Sequence, residues 1–394
     1  MVEADRWILP DGVEDIFPER ARSVERMRRR LLDLYECWGY DLVIPPMLEY
    51  TESLLTAAGE DLDLMTFRVT DQLSGRMMGI RADITPQTAR MDAHSLAVDG
   101  PSRLCYAGTV LHTRARDPLS SRTPISIGVE LFGERCLQAD LEVISLFLES
   151  LKVAEVGPVC LDLGHVDICR GLLREAHLDA ERERQFYALL QHKGVRDIQQ
   201  WISTHIKDTR LAQWLMLLPT LTGGTDVLDR AQDQLRGAPC EVLAALKLLR
   251  EVATAVSQND VDVYFDLSEM PGYHYHTGLV FGAYARGYGK TLGNGGRYDH
   301  IGEAFGRSRP ATGFAFDLYA LVSQGTIDSG GVKGICFIDS GDREIFTEAE
   351  RLRAAGERVV QLFAERQVDY YQINCDRKLL RENGRVVIKQ LCEI

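Results

Sequence analysis

Apolar residues recur along the chain with two different spacings, and the first of these predicts a helix near the start. Steps of three and four residues separate Val24, Met27, Leu31, Leu34 and Trp38. This is the spacing of one face of an amphipathic α-helix. Gly39 directly follows, so the helix is expected to end there.

Short β-rich runs with turn residues between them follow, up to residue 132. A short strand is expected at 41–44, and further runs cover 67–69, 77–80, 104–106 and 127–132. Within 66–80 and 103–133 the connections are too short to hold crossover helices, so the sequence predicts an antiparallel sheet there. A helix over 140–151 and a strand over 159–163 are expected next.

Residues 166–258 change to a nearly continuous helical pattern, which we interpret as a helical insertion. One apolar stripe within it consists of Val242, Leu246, Leu249, Val252 and Val256. The β pattern resumes at 261–265 and continues through a glycine-rich stretch, 278–298, to about residue 322. Residues 1–322 are therefore expected to form one core around this insertion.

The end of the chain is predicted to be a small α/β domain over 332–394, reached through a linker at 323–331. A strand is expected at 334–338. A helix should follow with Ala349, Leu352, Val359 and Leu362 on one face, and further strands are expected at 368–373 and 385–388.

Composition narrows the possible classes of protein. The chain has 394 residues, 45% of them hydrophobic and 26% charged, which is typical of a globular protein. Its net charge is −13, whereas basic character is expected of a nucleic-acid-binding protein. The nine cysteines form no CxxC pair, so free thiols in a reducing compartment are expected. We find no secretory signal and no apolar run of about 20 residues, and we expect a cytoplasmic protein without membrane contact.

Two glycine-rich motifs resemble nucleotide-binding loops but do not match them. Residues 287–291 end like a P-loop, but Tyr284 stands where its first glycine is required. Residues 293–296 fail as a dinucleotide fingerprint because Tyr298 replaces the third glycine. We interpret both as β-turns between strands. Residues 221–225 resemble a diphosphate loop without its acidic pair, and a turn between helices is expected there.

Other candidate chemistry is weakly supported by the sequence. His274 and His276 can lie on the same side of a strand, near His300, but no cysteine or acid with ligand spacing accompanies them. No serine-nucleophile motif is present. We therefore predict neither a metal nor a cofactor, and we interpret the histidines as the wall of a polar pocket.

A series of segments, in order, resembles the class II aminoacyl-tRNA synthetases and the histidyl-tRNA synthetase family in particular. The resemblance implies an α+β fold, with an antiparallel sheet flanked by helices, a helical insertion and a small C-terminal α/β domain. It covers roughly residues 8–322 and rests on residues 9–18, 44–46, 80–90, 106–133, 271–278, 295–299 and 313–318.

The same resemblance implies a pocket for histidine. Asp83 matches the acid that receives the α-ammonium, and Glu130 can accept a hydrogen bond from an imidazole N–H. Ser126 and His276 stand where the synthetases carry a glutamine and a tyrosine. The expected effector-binding residues are Asp83, Thr85, His112, Ser126, Glu130, Tyr275, His276 and Tyr298.

Departures from the synthetase pattern point away from catalysis. Three arginines of the family fall on His112, Pro271 and Ala320, and a nearby acid falls on Arg114. Adenylation builds negative charge that such arginines stabilise, and losing one donor typically costs about 10²- to 10³-fold. We therefore expect no catalytic residues and no enzymatic activity of the chain alone.

A synthetase-like core without these groups resembles the regulatory-subunit family of ATP phosphoribosyltransferase. This resemblance implies a hetero-oligomer with the short-form catalytic subunit, self-dimerisation, and L-histidine as the effector of histidine biosynthesis. Two alternatives remain at this stage. One is a working histidyl-tRNA synthetase, which would need the absent arginines, and the other is a synthetase-like module that binds RNA or another partner.

Overall fold

The structure is a computed structural model that describes residues 7–56, 60–115, 120–259, 261–268, 275–326, 333–363, 369–370 and 372–391. The chain divides into two compact units. The larger contains residues 1–16 and 24–327, and the smaller contains residues 17–23 and 328–394.

A nine-stranded sheet forms the centre of the larger unit. In spatial order its strands are β1 (Asp41–Leu42), β5 (Ser102–Thr109), β6 (Ile125–Phe132), β12 (Ala311–Asp317), β11 (Thr291–Arg297), β10 (Leu279–Ala285), β7 (Val159–His165), β9 (Asp262–Asp266) and β8 (Thr222–Gly223). The pairs β1–β5 and β7–β9 are parallel, and the other six pairs are antiparallel. Of the runs predicted to form one antiparallel sheet, 104–106 and 127–132 do pair antiparallel here, whereas 67–69 and 77–80 belong to a separate sheet. The main sheet as a whole is mixed.

One face of this sheet is apolar and packs against α5 (Leu137–Val153). Phe147 of this helix stacks on Phe316 at a centroid distance of 4.6 Å and meets Phe281 and Phe314 edge-on at 5.1 and 5.2 Å. Such aromatic pairs stabilise a core by about 0.5–1.5 kcal/mol each beyond the area they bury. α12 (Leu318–Gln324) also belongs to this unit, as does α1 (Pro18–Cys37) from Val24 onward. The opposite face carries Glu130 beside a smaller apolar cluster that includes Leu104, Phe132 and Ala311.

Helices occupy the stretch between β7 and β9, here called the helical segment. They are α6 (Val166–Glu175), α7 (Ala180–His192), α8 (Val195–His205), α9 (Thr209–Leu217), α10 (Asp226–Gln234) and α11 (Cys240–Val256). The predicted stripe on α11 is buried along its whole length. Residues 222–223 form the short strand β8 on the sheet edge, so the predicted turn between helices is wrong at that point.

The residues between β1 and β5 in the sequence form a smaller, three-stranded sheet. Its strands are β2 (Leu48–Tyr50), β4 (Met77–Ile80) and β3 (Phe67–Thr70), in that spatial order. Three helices accompany them: α2 (Thr51–Leu54), α3 (Glu60–Met65) and α4 (Thr85–Arg90). A π-helical turn over Met91–Leu96 continues α4.

The smaller unit carries a four-stranded sheet and one helix. The strands, in spatial order, are β14 (Val359–Leu362), β13 (Gly334–Ile338), β15 (Cys375–Glu382) and β16 (Arg385–Gln390), and the helix is α13 (Arg343–Ala354). Val359 and Leu362 thus belong to a strand, and their predicted place on the helix is wrong. The predicted strand at 368–373 is also wrong in its described residues, because 372–374 form a turn before β15.

Among the described residues, no helix combines the length and apolar character needed to cross a membrane.

Candidate functional site

Glycines form the floor of the candidate site, on the face of the main sheet opposite α5. Glu130 of β6 lies opposite Gly313 of β12, which lies opposite Gly296 of β11. Residues opposed in this way project from the same face. A Cβ atom at Gly313 would clash with the Glu130 carboxylate and lie 2.5 Å from the Tyr298 hydroxyl. The absence of a side chain at Gly313 therefore leaves room for the carboxylate and the phenol to approach each other over the sheet.

The glycine-rich stretch 293–296 thus belongs to strand β11, and the turn predicted there is wrong. The glycines are required by close packing. A Cβ atom at Gly295 would come within 2.5 Å of the Phe281 ring, and one at Gly293 would overlap the ring of Phe316. The turn between β10 and β11 is formed by residues 286–290 instead.

Glu130 is the most deeply buried acid of the site, with 1% of its surface exposed. Its Oε1 accepts hydrogen bonds from Thr85 Oγ1 at 2.7 Å and from the Tyr106 hydroxyl at 3.2 Å. Burial raises the pKa of Glu130 well above its ordinary value. The bond from Thr85 partly opposes this rise, and the charge of Asp83 adds to it. The hydrogen bonds thus hold the carboxylate in place. None of the described groups that shift its pKa is a cation.

Asp83 supplies a second, half-buried carboxylate next to Glu130. Its Oδ1 accepts hydrogen bonds from the backbone N–H groups of Ile84, at 2.6 Å, and Thr85, at 3.2 Å. These bonds fix the carboxylate at the start of α4. The nearby Arg81 does not neutralise it, because the Arg81 guanidinium donates to the carbonyls of Thr109 and Pro45. Among the described contacts, neither of these two carboxyl groups is therefore paired with a cation.

Aromatic side chains form the wall of the site. Tyr275 stacks on Tyr298 with ring centroids 4.9 Å apart, and His276 meets Tyr275 edge-on at 5.2 Å. Burial raises the pKa of Tyr275, and the charges of Glu130 and Asp83 raise it further. Tyr275 therefore remains a neutral phenol close to both carboxylates.

Three buried polar atoms of the site have no hydrogen-bond partner among the described residues. They are Oε2 of Glu130 and the hydroxyl oxygens of Tyr275 and Tyr298. Oε2 of Glu130 and the Tyr298 hydroxyl both lie next to Gly313, as the clash of a Cβ atom there shows. Buried polar atoms in native proteins almost always have a partner, so a pair of them facing one space indicates a ligand or ordered water.

A buried ion pair positions Tyr298. The adjacent Arg297 contacts Asp140 of α5, with Nη2 2.9 Å from Oδ1, and also contacts Asp299 at 3.1 Å. The backbone N–H of Tyr298 donates to the carbonyl of Ala311 at 2.8 Å. The ring is therefore fixed by the end of β11 and by the helix behind the sheet.

The predicted site residues are not all equally close. Asp83, Thr85, Glu130, Tyr275, His276 and Tyr298 are joined by the contacts above. His112 is buried and its Nε2 lies 3.0 Å from the carbonyl oxygen of Ala82, next to Asp83 in the chain. Ser126 is four residues before Glu130 on β6, which places it about 13 Å away along the strand. Pro271 and His274 lie outside the described residues.

Sequence reasoning did not assign Tyr106, Gly296 and Gly313 to the site. Tyr106 donates to Glu130, and its hydroxyl would lie 2.9 Å from a Cβ atom at Gly128, its cross-strand neighbour. The pairing of Gly128 with the large aromatic Tyr106 could have indicated that Tyr106 belongs to the site. This pairing can be recognised only when the register of β5 and β6 is known.

Comparisons with known proteins agree along the whole chain. Residues 12–321 match the family model for histidyl-tRNA synthetase, and residues 333–389 match the model for the ATP phosphoribosyltransferase subunit HisZ C-terminal domain. A relative from Cellvibrio japonicus, named ATP phosphoribosyltransferase regulatory subunit, is 51% identical over 99% of this chain and 98% of its own length. The chain belongs to the ATP phosphoribosyltransferase regulatory subunit family. A second relative of that name, from Saccharophagus degradans, is 50% identical over 98% of this chain and 99% of its own length.

Solved structures agree with membership of the regulatory subunit family. A Bacillus halodurans protein, described as an ATP phosphoribosyltransferase regulatory subunit/histidyl-tRNA synthetase, superposes with a TM-score of 0.84 at 27% identity, covering 96% of this chain and 99% of that one. Histidyl-tRNA synthetase from Nostoc has a TM-score of 0.78 at 16% identity, covering 98% and 97%, which shows the fold. The predicted family and the class II synthetase-like α+β fold are confirmed.

Proposed function

We propose that this chain is a non-catalytic subunit that activates the short-form catalytic subunit of ATP phosphoribosyltransferase and makes it sensitive to L-histidine. It would act in the cytoplasm, in the first step of histidine biosynthesis. The name of its relatives supports the link to ATP phosphoribosyltransferase. The observation that carries the effector assignment is the buried carboxylate of Glu130, with one unpartnered oxygen, beside the carboxylate of Asp83.

L-Histidine offers the groups that this site lacks. Its α-ammonium can pair with Asp83, and an imidazole N–H can donate to Oε2 of Glu130. The stacked rings of Tyr275 and Tyr298 provide a flat surface for the imidazole. The Tyr298 hydroxyl, which also faces this space, can bond the second ring nitrogen.

Several positions support a non-catalytic role. Ala320 is buried in α12 and carries no charge, and His112 is buried against the Ala82 carbonyl. Both stand where the resemblance to the synthetases places an arginine. Without these guanidinium groups the site has no cation at those positions for a triphosphate. The net charge of −13 also opposes tRNA binding at long range.

Calorimetry of the purified chain with L-histidine tests the effector assignment. We expect saturable binding of L-histidine and no binding of L-phenylalanine, whose ring has no N–H donor for Glu130. Co-purification with the short-form catalytic subunit tests the partner assignment. Histidine-dependent pyrophosphate exchange by this chain alone would instead support a synthetase, and tight tRNA binding without a histidine response would support an RNA-binding module.

We also propose that two copies of the chain associate within the hetero-oligomer. Exposed apolar residues support this, and they surround the edge strand β1 and the strand β2: Leu42 (51% exposed), Ile44 (85%), Met47 (48%) and Leu48 (43%). An edge strand with exposed apolar side chains is suited to pairing with another chain.

Replacing Ile44 with aspartate is therefore expected to convert the dimer to a monomer in sedimentation velocity. Because Ile44 is exposed, the substitution should hardly affect folding of the subunit. The melting temperature of the monomeric Ile44→Asp variant should therefore stay close to that of the dissociated parent protein. Val195 on α8, 54% exposed, offers a matched control, and Val195→Asp should remain dimeric. A dimer of unchanged affinity in Ile44→Asp would contradict this interface.

A further inference from the structure

The wall of the candidate site is attached to the helical segment, and this attachment has a direct consequence for regulation. The Arg170 guanidinium, on α6, donates from Nη2 to the carbonyl oxygen of His276 at 3.1 Å. One turn earlier, the backbone N–H of Val166 donates to the carbonyl oxygen of Gly278 at 3.1 Å. The first helix of the segment thus holds the backbone on both sides of residue 277.

A second attachment lies just after β9, where the chain leaves that strand towards β10. Lys193, at the C-terminal end of α7, forms an ion pair with Oδ2 of Asp266. Oδ1 of the same carboxylate accepts hydrogen bonds from the backbone N–H of Ser268 at 2.9 Å and from its hydroxyl at 2.6 Å. The ion pair therefore fixes residues 266–268 to the helical segment.

The opposite side of the wall is fixed to the main sheet. The backbone N–H of Thr277 donates to the carbonyl of Arg297 at 2.7 Å, and its hydroxyl accepts from the N–H of Asp299 at 2.9 Å. The ring of His276 packs on the floor, 2.7 Å from where a Cβ atom of Gly296 would lie. Tyr275 and His276 therefore lie between the helical segment on one side and β11 on the other.

We propose that the helical segment senses occupancy of the effector site through Arg170, with Lys193 as a second attachment. This inference rests on the proposed function, since it takes L-histidine as the occupant. A ligand that orders Tyr275 and His276 necessarily orders the His276 carbonyl, and Arg170 transmits that constraint to α6. α6 carries buried residues, among them Ile168, Leu172 and Leu173, within the core it shares with the other helices of the segment. Close packing passes the constraint on to these neighbours.

By reciprocity, whatever stabilises the helical segment also changes the affinity for histidine. A partner seated on this segment would alter histidine binding, although it would not touch the site. Arg170 is thus a positioning residue for the effector pocket, because it acts through the backbone of His276 and not on the effector.

Arg170→Met is the direct test, with Arg174→Met as its matched control. Arg174 lies one turn further along α6 and contacts Glu241 at the surface, where 56% of its side chain is exposed. Losing a hydrogen bond from a charged donor changes an equilibrium by about 10-fold or more. We expect Arg170→Met to weaken histidine binding about 10-fold in calorimetry. Arg174→Met should bind like the parent protein, and Arg170→Lys should recover part of the loss.

Hydrogen exchange measured by mass spectrometry separates positioning from a merely structural role. In the parent protein, L-histidine should slow amide exchange in peptides that cover α6 and the end of α7. In Arg170→Met at saturating histidine, the slowing should persist around Tyr275 but disappear from α6. Lys193→Met should lose the slowing at the end of α7 only. The melting temperature of each variant without histidine provides the check on folding.

Two results would overturn the inference. One is an Arg170→Met protein that binds histidine with parental affinity and retains the slowing in α6. The other is an equal loss in Arg174→Met, which would mean that α6 is perturbed generally. If the parent protein binds no histidine at all, the proposed function fails first and this inference fails with it.

Discussion

Glutamine in place of Glu130 is expected to weaken L-histidine binding by about 100-fold or more. Removing one partner of a buried, hydrogen-bonded charge pair typically costs about 2–5 kcal/mol. Glutamine retains an oxygen for Thr85 and Tyr106, and its NH₂ group can donate to the Tyr298 hydroxyl, so the fold should be preserved. Calorimetry on the variant and the parent protein provides the comparison, and equal affinities would place the imidazole elsewhere.

The pH dependence of the same pair of proteins gives an independent test. Burial raises the pKa of Glu130 in the unliganded site, whereas a bound N–H donor favours the ionised form. Binding should therefore release a proton, and histidine affinity should increase as pH rises toward the raised pKa of Glu130. The titration of histidine itself affects binding to both proteins equally. The contribution of Glu130 is therefore the difference in the pH dependence of affinity between the parent protein and Glu130→Gln. A pH profile identical in the two proteins would contradict the assignment.

Stability without ligand should respond in the opposite direction. An acid with a raised pKa in the folded state contributes stability that is present below its unfolded pKa and is lost as pH rises through the folded pKa. Glu130 therefore destabilises the unliganded protein at neutral pH. We expect Glu130→Gln to gain in free energy of unfolding over the parent protein as pH rises, as measured by urea denaturation. Such a gain would show that the Glu130 carboxylate costs stability, as expected of a group whose role is to bind the effector.

Asparagine in place of Asp83 is expected to abolish inhibition of the assembled complex at histidine concentrations that fully inhibit the parent complex. The change removes the charge that pairs with the α-ammonium but keeps an oxygen to accept from the N–H groups of Ile84 and Thr85. Activation of the catalytic subunit without histidine should stay close to the parental level. The measurement is phosphoribosyl transfer as a function of histidine concentration.

Asp83→Ala separates charge from local structure in this experiment. Alanine removes the hydrogen-bond acceptor of the Ile84 and Thr85 N–H groups as well and should destabilise the protein by about 1–3 kcal/mol. If alanine abolishes inhibition but asparagine does not, the carboxylate acts by holding the α4 N-terminus and not by binding the ammonium. Unchanged inhibition in both variants would remove Asp83 from the effector site.

The spacing of apolar residues correctly predicted the helices and strands that bury one face. Burial of one face requires apolar residues at regular intervals, so it leaves this spacing in the sequence. Ile127, Val129 and Leu131 alternate along β6 and are all buried against the helices behind the sheet. The error in the C-terminal unit has a simple cause. Val359 and Leu362 continue the helical spacing of Ala349 and Leu352, but Gly356 interrupts the chain with a φ of +87°. A glycine at that point is a stop signal for a helix, and it outweighs the spacing.

The family resemblance supplied the chemistry of the site but not its dimensions. Tyr275, Tyr298 and Glu130 are far apart in sequence, and only the topology of the sheet brings them together. The alignment of Glu130, Gly313 and Gly296 depends on the order β6–β12–β11, which no local pattern encodes. The distance of Ser126 from Glu130, in contrast, follows from their separation along one strand, and it marks Ser126 as the least central of the predicted residues.

The row of glycines on the sheet also has a meaning for comparing related chains. A methyl group at position 313 would displace both the acid and the phenol from their present places. For the effector site proposed above, this position would act as a steric filter. In related chains, a residue larger than glycine at position 296 or 313 would then mark an altered cavity, even where every acid around it is kept.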